Sequence, residues 1–424
     1  MHPRTRTTIG VRQALLAAVL AGAVAGAVAQ APAAPTPGGP GTPGLKELFE
    51  AAWARQPEAL ALQSRREAAQ AQRRAAEAWT PEPPAFEASH KTDRLTRNDG
   101  ARELEVGLAV PLWLPGERRS SGALAEAEAA AVESRAQGAR VRLAAAVREA
   151  WWTWQRAGVD VEIARGQLDN ARKLAADVSR RAKSGELARA DQHQADGAVA
   201  AAEAGLAQAE AAATAALQQV KALSGGAIGM TPVVFATAEP EPAATEAGTH
   251  PAIAELQDRA SAAERAAALA ATQSRANPEV TLATTRDRGA SGERYGQTVT
   301  LAVRIPFGGG PRHDSRVASA RADAAEAQAQ LALDRARLQS ERDAAVARVD
   351  AARAQLVAAE RRATLARETR GFFEKSFRLG ETDLPTRLRI EAEATEAERQ
   401  AARSRIDLAA AISAWRQALG LLPQ

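Results

Sequence analysis

The side chains that most often do chemistry are sparse in this 424-residue chain, and they do not gather. It contains no cysteine, which excludes disulfides, thiolate metal sites, a cysteine nucleophile and a lipidated N-terminal cysteine. The five histidines, His2, His90, His193, His250 and His313, are dispersed, with no i, i+4 pair and no carboxylate at ligand spacing. Neither a metal site nor a cofactor is expected from them. Gly308-Gly309-Gly310 lies between a strand pattern and a helix pattern but lacks the Gly-Lys-Ser/Thr ending of a phosphate loop, so it reads as a corner. Trp151 and Trp154 share a helical face, with Trp152 beside them, which favours packing over ligand stacking. There is no Gly-x-Ser-x-Gly, no framed pair of catalytic carboxylates and no nucleotide motif; the chain is not expected to be an enzyme.

What stands out instead is a turn. FRLGETDLPTRLR, residues 377–389, separates two long stretches of Ala, Arg, Glu, Gln and Leu, all strong helix formers. Gly380 reads as a helix stop and Pro385 as a first-turn residue of the next helix. Ser184-Gly185-Glu186-Leu187 does the same after a proline-free run from Glu117 to Lys183, and Gly185 and Gly380 are 195 residues apart. A helix of that length runs roughly 100 Å at about 1.5 Å per residue. Arg387 and Arg389 beside the second turn are candidates for a constriction or a partner contact.

Two stretches change period. Leu104, Val106, Leu108, Val110 and Leu112 alternate with Glu103, Glu105, Gly107, Ala109 and Pro111, the period-2 mark of a strand with unlike faces. Phe86, Ala88 and His90 alternate less cleanly, and residues 92–101 between them form a polar loop with the turn signal Asn98-Asp99-Gly100. In the second half Val280, Leu282 and Thr284, a loop over 286–295 and a strand over 299–307 repeat the arrangement. Pro57 and Pro84 recur as Pro251 and Pro278, each 194 residues on, and ALQQVKALSG at 216–225 aligns with AISAWRQALG at 411–420. These anchors indicate an internal duplication.

The expected organisation is a signal peptide (1–29), a Pro/Gly linker (30–44), a first repeat (45–225, hairpin 84–113, tip 184–187), an inter-repeat segment (226–249) and a second repeat (250–424, hairpin 278–307, tip 379–382). The leader carries Arg4, Arg6 and Arg12, an apolar run from Ala14 and an Ala27-Val28-Ala29 end, with cleavage expected near Ala29/Gln30. A short strand is expected at Val233–Phe235. Net charge is only +4 from 55 basic and 51 acidic residues that alternate along the helices, which argues against nucleic acid. Each strand has one apolar face and one small or polar face, as in a membrane β-barrel, and four strands from one chain can close such a barrel only by oligomerising.

On the two-fold repeat, the hairpin before each long helix, and the tip motifs SGELARADQHQAD and FRLGETDLPTRLRIEAE, the chain resembles the TolC family of outer-membrane efflux proteins. LGETDLPTRL and the terminal ALGLLP most resemble the CzcC/CusC-type component of heavy-metal resistance-nodulation-division pumps. The resemblance implies a mainly α fold with membrane β-hairpins: internally duplicated long helical hairpins forming a periplasmic α-barrel under a 12-strand barrel in outer-membrane lipid, as a homotrimer. It implies a passive exit duct whose tips meet a periplasmic adaptor serving an inner-membrane pump. The adaptor contacts map onto Ser184, Gly185, Glu186 and Leu187, and onto Leu379, Gly380, Glu381 and Thr382. Relatives close the tunnel with tip aspartates, and Asp191 matches the first-repeat acid; Thr386 and Arg389 stand six and nine residues after Gly380, where the second repeat departs. A duct for drug efflux or protein secretion, or a periplasmic coiled-coil adaptor lacking spanning strands, are the competing expectations.

Overall fold

The computed structural model describes residues 44–226, 238–243, 248–308 and 310–424. The expected leader, nearly all of the Pro/Gly linker and the Val233–Phe235 strand lie outside the described residues. The order is α1 (Leu45–Trp53), α2 (Pro57–Glu77), β1 (Ala85–Thr92), β2 (Arg102–Pro111), α3 (Glu117–Lys183), α4 (Arg189–Ser224), α5 (Pro251–Thr272), β3 (Glu279–Arg288), β4 (Gly296–Arg304), α6 (Gly310–Arg378) and α7 (Leu384–Ala418).

Helix lengths set the scaffold. α3 has 67 residues and α6 has 69, and each is flanked by shorter helices. α4 lies along the tip half of α3, joined by pairs such as Arg172 with Glu203 at 2.8 Å. α2 and α5 lie along the other half, joined by Arg66 with Glu133 at 2.6 Å and Arg142 with Glu255 at 2.6 Å. Such half-exposed pairs each contribute little, about 0–1 kcal/mol, so alanine-lined contact between helices does most of the holding. Pro57 and Pro251 occupy first-turn positions, where a missing N–H costs nothing.

The largest apolar cluster sits partway along α3. Leu48 and Phe49 of α1 meet Val147, Trp151 and Trp154 of α3, Val220 of α4 and Ile406 of α7. Trp151 and Trp154 touch edge to face, with ring centres 5.5 Å apart, so their shared face is a packing face. Next to this cluster the inter-repeat segment is tied down by charge. Arg148 of α3 donates twice to the Glu239 carboxylate, at 2.9 and 2.8 Å, and also to Gln417 Oε1 at 2.6 Å and the Leu421 carbonyl at 3.0 Å. Ser413 donates to Glu239 at 2.5 Å and Arg416 lies 3.4 Å from it. The side chains of Arg148 and Glu239 are 5% and 2% exposed, so each charge depends on the other for its solvation.

The strands form one antiparallel sheet in the order β1-β2-β3-β4, so β1 and β4 each keep an unpaired edge. β2 with β3 joins the two hairpins, matching Leu108 with Leu282 and Gly107 with Ala283. The strand after the first turn signal begins as expected, but β3 runs on to Arg288, leaving a second loop of only 289–295. The extension follows from pairing, because Arg286, Asp287 and Arg288 lie opposite Leu104, Glu103 and Arg102 of β2. Two hydrogen bonds tie the hairpin ends together: the Ser291 N–H donates to the Asp99 carbonyl at 2.8 Å, and Arg288 Nε donates to the Gly100 carbonyl at 3.0 Å. Asn98, at φ +56°, takes the left-handed position of the first turn.

Candidate functional site: the helical tips and the sheet

Both long helices end in the same hydrogen-bonded stop. At the first tip Gly185 donates to the Ala182 carbonyl at 3.3 Å and Glu186 to Arg181 at 2.9 Å; at the second Gly380 donates to Phe377 at 3.1 Å and Glu381 to Ser376 at 3.0 Å. This is the Schellman pair of bonds, which requires a left-handed residue, and Gly185 and Gly380 have φ +86° and +79°. The following helices start differently. In α7 the Asp383 carboxylate accepts from the Thr386 N–H at 3.1 Å, whereas in α4 Ala188 holds the capping place and Asp191 reaches back to its N–H at 3.0 Å. Each repeat therefore has one acid satisfying its first turn, but displaced by three positions. The bonds to Thr386 hold the Asp383 carboxyl below its ordinary value of 3.8.

The residues expected to meet an adaptor are arranged at these stops. Ser184, Gly185, Glu186, Leu379, Gly380 and Glu381 are exposed, while Leu187 and Thr382 are half-buried. Leu187 packs on a small cluster of Val178, Ala195, Phe377 and Leu384. Arg181 joins the two tips: its guanidinium lies 5.0 Å from the centre of the Phe377 ring, donates to the Phe377 carbonyl at 2.9 Å and pairs with Glu186 at 3.1 Å. Ser376 and Thr382 hydroxyls, 2.6 Å apart, brace the second turn.

The candidate constriction residues are not brought to one point. Asp191 accepts from the Ala188 N–H at the start of α4, Thr386 donates its N–H to the Asp383 cap of α7, and Arg389 pairs along its own helix with Glu393 at 2.7 Å. Arg387 is buried between α6 and α7. It donates to the Arg370 carbonyl at 3.1 Å and lies 3.3 Å from Glu391 and 3.9 Å from Glu374. Glu391 in turn lies 3.6 Å from Arg370 and accepts from Asn170 of α3 at 3.3 Å. These groups border a cleft of about 480 Å³ between the two helical hairpins. Sequence reasoning missed Arg181, Asn170, Arg370 and Asp383. Only Asp383 carried a local signal, as an acid just before Leu384-Pro385.

At the other end the sheet has unlike faces. One carries the rows Phe86-Leu108-Leu282-Leu301 and Ala88-Val106-Thr284-Val299. The other carries Glu87-Gly107-Ala283-Thr300 and Ser89-Glu105-Thr285-Thr298. The apolar side is open in the single chain, with Phe86 72%, Val299 72% and Leu301 70% exposed. Trp79 and Phe307, at the helix ends beneath the sheet, are exposed as well. Among the described residues no helix is long and apolar enough to cross a membrane, and no group of three or more His, Asp and Glu is placed to hold a metal ion.

Residues 48–226 match the sequence model of a family described as outer membrane efflux protein. No curated protein is significantly similar in sequence. Among solved structures, the outer membrane protein VceC of Vibrio cholerae superposes with a TM-score of 0.71 at 20% identity, covering 89% of this chain and 96% of that one. The outer membrane channel CmeC of Campylobacter jejuni gives 0.71 at 15%, covering 89% and 85%. CusC, described for its transmembrane channel formation, gives 0.74 at 16%, covering 89% and 92%. The three scores are too close to separate one branch from another. Over residues 48–226 the chain carries the pattern of the outer membrane efflux protein family, and over its described length it has the fold of the TolC-like outer-membrane channels.

Proposed function

We propose that the protein is the exit duct of a tripartite efflux system, conducting substrate passively from an inner-membrane pump and periplasmic adaptor across the outer membrane. The observation that carries this reading is the sheet. An antiparallel sheet with an exposed apolar face, a small and polar opposite face and two unpaired edges is a third of a barrel, because unpaired backbone groups are not tolerated in lipid. Closing β4 of one copy on β1 of the next, three times over, gives twelve strands, with Glu87, Glu105 and Thr300 facing water inside. The long helices then extend into the periplasm, and the glycine stops, with Ser184, Glu186, Leu379 and Glu381 exposed around them, face the adaptor. Leu187 and Thr382 support these turns from behind.

Opening in this reading is a mechanical step with no chemistry. The Arg387, Glu391 and Asn170 contacts hold α7 against α6 and α3, and splaying the tips requires breaking them. An adaptor that binds the splayed state better shifts the population toward it. Asp191 and Thr386 contribute to closure by fixing the first turns of α4 and α7, and Arg389 by its charge one turn further along α7. The cargo we assign is heavy-metal cations, supported by the likeness of LGETDLPTRL and ALGLLP to the CzcC/CusC-type ducts. Deleting the gene should lower tolerance to divalent transition metals while leaving tolerance to lipophilic drugs unchanged. Loss of drug tolerance alone would assign the duct to drug efflux, and a defect in secreted protein alone would assign it to secretion.

A further inference from the structure

We infer that the apolar face of the sheet ends in a binding collar for the phosphorylated glycolipid of the outer leaflet, formed by Arg102, Arg286 and Arg288 beside Tyr295. This rests on the barrel reading above. The first observation is how the sheet sorts its charges. Glu87, Glu103, Glu105, Glu279 and Asp287 share the polar face, and the two cations there stand opposite acids, Lys91 beside Glu103 at 2.8 Å and Arg304 in register with Glu279. Arg102, Arg286 and Arg288 alternate onto the other face, in register with Thr92, Leu104 and Arg102 of their neighbours. No carboxylate of the described residues pairs with them, whereas a merely solvated surface would mix both signs.

Their height is the second observation. The last row free of charged or imidazole side chains is Ala88-Val106-Thr284-Val299; Arg286 shares the next row toward the loops with His90 and Leu104, and Arg102 and Arg288 share the one after, about 7 and 13 Å further at about 3.3 Å per residue. That is headgroup depth for a strand whose apolar side is in hydrocarbon. The collar is also held in place. Arg286 and Arg288 lie 4.7 and 5.1 Å from the centre of the Tyr295 ring, and Arg288 donates to the Gly100 carbonyl at 3.0 Å. An arginine fork stacked on an aromatic ring keeps its remaining N–H groups free for phosphate oxygens, which it can bind two at a time. A doubly phosphorylated glycolipid with its acyl chains beside Leu104 and Leu282 fits this face; a free phosphate ion uses only half of it.

The test uses the purified full-length protein, first shown to run as a heat-modifiable trimer, in nanodiscs of phosphatidylcholine with either diphosphoryl lipid A or the same lipid dephosphorylated. Native mass spectrometry reads lipid retained per trimer. The wild type should retain diphosphoryl lipid A in preference to the dephosphorylated form, and millimolar inorganic phosphate should not displace it. R102Q/R286Q/R288Q should weaken retention by at least about tenfold, given about 1 kcal/mol per basic residue at an anionic surface. The loop variant R94Q/R97Q/R294Q removes equal charge and should change it less than about twofold. Equal retention of both lipids, displacement by phosphate, or equal losses in the two variants would overturn the inference while leaving the barrel standing. A protein that forms no trimer would overturn the barrel reading, and the collar with it.

Discussion

At Gly185 and Gly380 an added Cβ would meet nothing within 4 Å, so the cost of substitution lies in the backbone, at φ +86° and +79°. A left-handed non-glycine residue costs roughly 1–2 kcal/mol, small against a domain's stability of about 5–15 kcal/mol. Gly185→Ala and Gly380→Ala should therefore leave the trimer intact on gels while export falls; loss of the trimer would show that the turns serve folding instead. His250 offers a second test. Its Nδ1 accepts the Ala252 N–H at 3.1 Å, so the proton sits on Nε2, which faces the Gln417 carbonyl at 3.4 Å. Burial holds its pKa below the ordinary 6.5, against the opposing pull of that carbonyl and of Glu341. The folded state thus prefers the neutral ring. Its contribution is fully present above about pH 6.5 and declines as pH falls below that toward the lowered folded value. His250→Asn keeps a capping acceptor but cannot titrate, and should flatten thermal stability measured between pH 7.5 and 5.5; an unchanged slope would remove His250 from the account. The tip glycines were legible in the sequence because only a chain stop explains them between such helix formers. The Arg387 network was not, since Glu391 meets Asn170 from 221 positions away.

Among the elements, residues 238–243 of the inter-repeat segment are fastened through a buried charge. Glu239 is held by Arg148 and Ser413, with Arg416 alongside, and its loss would take away the carboxylate that the buried Arg148 guanidinium faces. Glu239→Gln keeps the shape but removes the charge, and should cost roughly 3–5 kcal/mol, read as a lowered midpoint of thermal unfolding in detergent. A midpoint unchanged within error would mean water already reaches this cluster. Nothing in the sequence marks Glu239 over Glu241 or Glu246, because its partners come from helices far away along the chain. The strands were different. Alternation at Leu104 to Leu112 defined β2 and its apolar side, since a pleated strand puts every second residue on one face. The end of β3 was less clear, because Arg286 to Arg288 have a loop's composition and become strand only through their partners on β2.

For the whole molecule, the single chain leaves its most informative surfaces uncovered. β1 and β4 are exposed along their whole length, and α6 buries few side chains, with Leu333, Val357 and Phe372 all exposed. Long open strand edges bearing apolar side chains do not persist in water, and in the proposed duct further copies of the chain cover them. The mainly helical fold with its two β-hairpins was legible from the lengths and periods of its stretches. How the copies meet was not, because a β4-to-β1 contact leaves no spacing signature within one chain. The chain's lack of cysteine makes that contact open to direct test. Glu87→Cys on β1 would be combined in turn with Thr298→Cys, Thr300→Cys or Ala302→Cys on β4, and outer-membrane fractions oxidised and run on denaturing gels. At least one pair should give a crosslinked ladder that stops at three chains. A soluble, uncrosslinked monomer in the periplasm, or a ladder continuing past three, would contradict it.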